Sequence, residues 1–270
     1  MQSNKLINAV NSTTTLLSVR NLFKKYQTKV GDTVDALTDI HLDLMDGEFV
    51  SVLGPSGCGK TTLLKILAGI VQHSSGEVMF KGQAIADSKN VMGVVFQSPV
   101  LLPWLTVLDN VLLPLRVLGM DRNQYLASAI SLIELVGLHG FENKYPNELS
   151  GGMQQRVSIV RALIHDPGIL LMDEPFGALD SLTRERMNSE LQKIWLIKKK
   201  TIFFITHSIS EAVFLSDRVI VMSARPGKII EEIRIDFPRP RHIDLTSTQE
   251  FGAIAKHLRG CLGSYESGHE

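Results

Sequence analysis

The sequence predicts an α/β fold built on a mostly parallel sheet. Three observations carry that prediction. Gly54-Pro55-Ser56-Gly57-Cys58-Gly59-Lys60-Thr61 fits the pattern G-x-x-x-x-G-K-[ST], with the apolar run Phe49–Leu53 before it and a helix-like run over 62–67 after it. Residues 168–172 and Thr201–Ile205 are continuous apolar runs, as parallel strands covered on both faces require. Between these halves, over 105–138, apolar residues recur at helical spacing and predict an inserted helical subdomain. A ligand of such a sheet is expected at the carboxyl ends of its strands.

The elements follow in order. Residues 1–15 read as a polar tail without the apolar stretch of a secretory signal. Residues 16–20 read as a first strand. Residues 34–44 alternate well enough for a second, which closes at the turn Met45-Asp46-Gly47. Phe49–Leu53 is the strand that feeds the glycine loop. Residues 77–80 and 91–96 are further strands, separated by the turn-like Lys81-Gly82. In the helical region the apolar positions are Val107, Val111, Leu112 and Leu115, then Leu126, Ile130, Ile133, Leu135 and Val136. Residues 218–222 and 228–235 read as edge strands around Arg225-Pro226-Gly227. Phe251, Ile254, Ala255, Leu258 and Leu262 mark a short amphipathic helix. The expected organisation is a tail over 1–15, a domain over 16–237 with its helical subdomain at about 98–160, and an extension over 238–270 carrying one helix.

Composition narrows the function classes. The chain has 270 residues, 44% hydrophobic and 21% charged, with zero net charge, so it offers no electrostatic footprint for nucleic acid or anionic lipid. Its two cysteines are far apart and one sits inside the glycine loop, which suits a reducing compartment better than a disulfide. The nearest approach to a membrane span, residues 99–119, is interrupted by Pro103, Asp109, Asn110, Pro114 and Arg116. Work at a membrane therefore requires other subunits to supply the span.

Three motifs carry chemistry. In the glycine loop, backbone N–H groups and the following helix N-terminus cradle a phosphate, Lys60 is expected to reach the β- and γ-phosphates, and Thr61 to ligate Mg²⁺. Residues 169–174 are an apolar strand ending in two carboxylates. Successive strand side chains point opposite ways, so Asp173 is expected to face the metal and Glu174 an attacking water as general base. Leu149-Ser150-Gly151-Gly152-Met153-Gln154-Gln155-Arg156 is a second anion-friendly helix start, with Ser150 as N-cap. One glycine loop holds one nucleotide, so this second start needs a separate purpose.

On these residues the sequence closely resembles the ATP-binding subunits of ABC transporters, with 149–156 as the family's signature motif. The other family motifs appear in order over roughly 16–235. Tyr26 resembles the adenine-stacking aromatic, Gln97 the Q-loop glutamine, 175–180 the D-loop and Thr206-His207 the switch histidine. Met153 departs from the glutamine common at that position.

The resemblance implies a P-loop NTPase fold of ABC type, with an antiparallel β subdomain beside the parallel core sheet. It implies a head-to-tail homodimer in which Ser150, Gly151 and Gly152 of one copy contact the ATP held by the glycine loop, Gly54 through Thr62, of the other. Asp180 is implied to cross the same interface. His207 is implied to sense the γ-phosphate, and Gln97 to link Mg²⁺ and the water to the helical subdomain. The other histidines, His257 among them, show no ligand spacing and read as structural. Residues 96–107, 224–229 and 238–241 resemble the nitrate, sulfonate and taurine type of importer. That implies membrane permease partners, a solute-binding protein acting indirectly, and a place on the cytoplasmic face of the membrane. The stretch around Trp104 is expected either to dock the permease or to pack within the helical subdomain. The competing function is a soluble ABC ATPase of DNA repair or translation.

Overall fold

The computed structural model describes residues 14–27, 31–85 and 92–263; most of the polar tail, Val91 and His269 lie outside them. Two long strands open the chain, β1 (Thr15–Gln27) and β2 (Thr33–Met45), and pair antiparallel. β1 also pairs antiparallel with β4 (Ser75–Phe80), and β4 with the short β5 (Gln83–Ala84), so a four-stranded antiparallel sheet runs β2-β1-β4-β5.

The second sheet has six strands in the order β10 (Ile229–Arg234), β9 (Arg218–Met222), β3 (Phe49–Leu53), β8 (Thr201–Ile205), β7 (Ile169–Asp173), β6 (Met92–Val95). All pairings in it are parallel except that of β10 with β9. The apolar runs lie at its centre because each strand there feeds two cores. Phe49, Leu170, Met172, Ile202 and Phe204 point to one face, and Val50, Val52, Leu171, Phe203 and Ile205 to the other. Each such fully buried large side chain is worth about 1.5–3 kcal/mol. The 218–222 run is not an edge strand as expected. β9 sits between β3 and β10 with Val219 to Met222 buried, and of these two only β10 lies at an edge.

α1 (Lys60–Leu67) follows the glycine loop and covers the second face, where Leu63, Leu64, Ile66 and Leu67 join that core. The other helices cover the first face. α2 (Val107–Val117), α3 (Arg122–Leu135) and α4 (Gly151–Leu163) form the inserted helical region, and α5 (Ser181–Lys198), α6 (Ile209–Leu215) and α7 (Gln249–Gly263) complete the layer. Buried Asn110 ties the loop before α2 in place. Its amide donates to the carbonyls of Leu102, Leu105 and Thr106, and its oxygen accepts from the Leu102 N–H. In α3 the buried face is Ala129, Leu132 and Ile133, whereas Leu126 and Ile130, two of the five apolar positions read from sequence, point to solvent.

Residues after β10 are packed into the body of the protein. Arg241 is 4% exposed, and its guanidinium donates to the carbonyls of Val213, Phe214, Ser216, Ile235 and Phe237. Burial pushes its pKa down to about 10, which still leaves it charged at neutral pH. Arg239 pairs with Asp217 at 2.8 Å and lies over the Trp195 ring at 4.2 Å. Phe251 and Leu258 then seat α7 in the core.

Candidate active site

β3 ends in the glycine loop, and α1 begins at Lys60 behind it. Gly59 holds φ of +105°, and a Cβ there would meet the Ala36 carbonyl at 2.8 Å, so only glycine lets the loop lie against β2. A pocket of about 440 Å³ opens over the loop, lined by Ser56, Gly57, Gly59, Lys60, Thr61 and Thr62 on one side and by Tyr26, Val34, Ala36, Glu174 and Arg225 on the others. Tyr26 is 40% exposed, and the Lys24 ammonium lies 4.7 Å from its ring centre.

The Lys60 ammonium lies on its own loop, 2.7 Å from the Gly54 carbonyl and 2.9 Å from that of Pro55. A buried ammonium needs acceptors, and these carbonyls supply them, so reaching a phosphate requires the side chain to exchange partners. Cys58 is buried in the core with its sulfur 3.7 Å from the same ammonium, and it does not line the pocket.

Thr61 Oγ1 donates to Asp173 Oδ1 at 3.1 Å. Burial pushes the Asp173 pKa above the ordinary carboxylate value; the Thr61 hydrogen bond opposes this, and the charge of Glu174 adds to it. A hydroxyl beside a carboxylate at the mouth of a phosphate loop is a hard-oxygen donor set that fits Mg²⁺.

Glu174 is not on the strand. β7 ends at Asp173, and Glu174 has φ of +45°, so the chain turns out of the sheet and the two carboxylates diverge because of this left-handed residue rather than by strand alternation. Glu174 Oε2 then meets His207 Nδ1 at 3.3 Å. His207 follows β8, where Thr206 donates to Glu211 and accepts from the Ser208 N–H, which fixes the turn below the imidazole. Burial raises the pKa of Glu211. Gln97 is exposed at the end of β6, and its Nε2 lies 3.4 Å from where a Cβ on Gly177 would stand, which brings the Q-loop and D-loop positions together.

Ser150, Gly151, Gly152 and Asp180 take no part in lining the pocket. Ser150 caps α4, accepting from the Met153 N–H at 3.3 Å, and both Ser150 and Gly151 are exposed. Asp180 caps α5, and the hydrogen bond from the Thr183 N–H holds its pKa below the ordinary value.

Sequence reasoning missed Arg225. Its Nη2 donates to the Gly57 carbonyl at 3.2 Å, adding a cation to the pocket from a turn 168 positions further along the chain. The only local signal was the turn itself, Arg225-Pro226-Gly227, whose Gly227 pairs with β2 by donating to the Ala36 carbonyl and accepting from the Thr38 N–H.

The fold and this pocket define a P-loop nucleoside triphosphatase. Residues 37–177 match the family model described as ABC transporter, and the chain belongs to that family. It is 51% identical over 233 residues to an uncharacterized ABC transporter ATP-binding protein of Methanocaldococcus jannaschii, covering 86% of each chain. It is 45% identical to the taurine import ATP-binding protein TauB of Rhizobium johnstonii, over 93% of this chain and 98% of that one. It is 46% identical to the aliphatic sulfonates import ATP-binding protein SsuB of Bacillus cereus, over 85% and 90% respectively. Among solved structures, a dimeric bacterial ABC transporter cassette matches with TM-score 0.71 and 34% identity, over 83% of this chain and all of the other. A dimeric post-hydrolysis cassette bound to ADP and Pi matches with TM-score 0.69 over the same shares. The chain is accordingly an ATP-binding ATPase.

Proposed function

We propose that this chain energises an importer of small sulfonate-type anions, as a homodimer attached to the cytoplasmic face of the membrane through separate permease subunits. The observation that carries the reading is the constellation at the mouth of the glycine loop, with Thr61 on Asp173 at 3.1 Å and Glu174 on His207 at 3.3 Å. The cargo class rests on likeness to relatives named for taurine and aliphatic sulfonate import. A solute-binding protein outside the membrane is the delivery partner this implies. The soluble alternative, in DNA repair or translation, has no such support among these relatives.

The roles follow from chemistry. Tyr26 takes the adenine by stacking, and loop amides from Gly54 to Thr62 take the phosphates. Lys60 and Arg225 supply positive charge on the phosphate side. Thr61, Asp173 and Gln97 hold Mg²⁺, which when bound neutralises charge developing on the β- and γ-phosphates. Glu174 accepts a proton from the attacking water, and His207 positions Glu174 while reporting on the γ-phosphate. Ser150, Gly151 and Gly152 complete the site on a second copy of the chain, which gives the exposed start of α4 its purpose; Asp180 lies at the same contact.

Among the described residues no helix is long and apolar enough to cross a membrane. The permease is proposed to dock in the groove of about 500 Å³ between α2 and β6, lined by Phe96, Val100, Leu113, Pro114 and Val117. Trp104 is 69% exposed, which favours docking over internal packing. Gln97 adjoins Phe96, so a permease seated there lies one residue from the nucleotide chemistry.

The test is Glu174→Gln in the purified chain. ATPase activity is expected to fall about 10²–10⁴-fold while ATP binding persists and ATP-dependent dimers accumulate. Near-normal turnover would sink the general-base role. Co-reconstitution with the permease and uptake assays with taurine, an alkanesulfonate and nitrate test the cargo class, and transport of nitrate alone would contradict it.

A further inference from the structure

Outside the nucleotide pocket, one group among the described residues brings metal-binding donors together. Glu231 on β10 and His257 and Cys261 on α7 place a carboxylate oxygen, an imidazole nitrogen and a sulfur all within 4.8 Å of one another. We propose that these three side chains form a zinc site that clips α7 to the edge strand β10.

The geometry has a local cause. His257 and Cys261 are four apart on one helix, so they share a face. Phe251 and the fully buried Leu258 fix the rotation of that helix on the body of the protein. β10 is the outer strand of its sheet, and Glu231, paired with Val221, is exposed on it. The three ligands thus come from two elements that are distant in sequence, and each element is held independently of any metal.

The separations suit zinc. The Cys261 Sγ to His257 Nε2 distance is 3.8 Å. Bonds of about 2.3 Å to sulfur and 2.0–2.1 Å to nitrogen at a tetrahedral angle put those two atoms about 3.5 Å apart. A small rotation of either side chain closes the difference.

The donors also select the metal. A thiolate and an imidazole favour Zn²⁺ over Mg²⁺ or Ca²⁺, which take oxygen. On binding, the Cys261 S–H proton leaves to solvent as the sulfur–zinc bond forms. The thiolate and the carboxylate then balance the two positive charges, and His257 ligates as the neutral ring. A fourth position opens onto a surface concavity lined by Ala253, Lys256, His257, Gly260 and Cys261, which admits water. Lys256 is the cation on that surface, and as an ammonium it offers no lone pair.

Clipping α7 to β10 joins the C-terminal helix to the hairpin whose turn carries Arg225, without touching Lys60, Asp173, Glu174 or His207. The site therefore governs the hold of the extension on the domain and leaves basal catalysis unchanged.

Cobalt substitution tests this on the full, tag-free chain, stripped with a chelator and free of nucleotide. One equivalent of Co²⁺ is expected to produce a sulfur-to-cobalt charge-transfer absorption, with d–d bands as strong as four-coordination gives, and Zn²⁺ should displace both. Cys261→Ser should abolish the sulfur band. His257→Ala and Glu231→Gln should each weaken cobalt binding at least tenfold. Cys58→Ser should leave the band intact, and all three ligand variants should keep wild-type ATPase activity. Absence of a sulfur band overturns the proposal. So does a band that survives Cys261→Ser, one that disappears in Cys58→Ser, or one that His257→Ala and Glu231→Gln leave untouched.

Discussion

Asp173 and Glu174 are neighbours in sequence but not in environment. Asp173 is partly buried against Thr61 with its pKa raised, whereas Glu174 leaves the sheet through a positive φ and meets His207. The sign of the Asp173 shift sets a pH dependence. Its folded pKa lies above that of the unfolded chain, so the protein favours the protonated form, and Asp173 adds stability as pH falls through the folded value rather than losing it. For metal binding the proton is a competitor. The half-saturating metal concentration, read with Mn²⁺ and a non-hydrolysable ATP analogue, is expected to rise on acidification at a pH above the ordinary aspartate value of about 4. A flat response down to that value would remove Asp173 from the metal site. At this scale the motif residues were legible because their work is done by backbone and short spacing. The resting partners of Lys60 and the approach of Arg225 were not, because both depend on where the chain returns after long excursions.

Strands were easier to read than helices. The apolar runs of β3, β7 and β8 are unmistakable because both faces of the sheet are covered. α5 carried no clear signal, since its buried face includes Asn188 and Gln192 among Met187, Leu191, Ile194 and Trp195. Those polar residues are buried for a reason that lies elsewhere in the chain. Gln192 accepts from the Arg241 N–H and donates to the Arg241 carbonyl, both at 2.8 Å. Arg241 in turn satisfies the carbonyls at the end of α6, where a helix leaves acceptors without partners. Arg241→Ala should therefore cost about 2–4 kcal/mol of stability, because it leaves several buried carbonyls without a donor, each an unmet acceptor worth about 1–3 kcal/mol. Arg241→Lys should recover little, since an ammonium cannot span the same fan of acceptors. Urea unfolding monitored by intrinsic tryptophan fluorescence and by circular dichroism checks both, and a midpoint unchanged in the alanine variant would refute the account.

At the level of the whole molecule, the sequence reading of a parallel core sheet with a helical insertion and an antiparallel sheet matches the structure. Of the two runs read as edge strands, 228–235 lies at the edge and 218–222 does not, because a parallel strand and its antiparallel neighbour look alike as short apolar runs. The exposed start of α4 stands apart from the pocket that its serine and glycines are proposed to complete. That separation makes the protein suited to a cis–trans test of the kind used in genetics. Lys60→Ala on one copy and Ser150→Arg on the other place both lesions in one composite site of a mixed dimer and leave the second site whole. The same two changes on a single copy, paired with wild type, put one lesion in each site. ATP retained by mixed dimers should thus persist in the first arrangement and vanish in the second. A chain that completed its own site would give the reverse, so complementation between two defective alleles reads out which copy each half of the site belongs to.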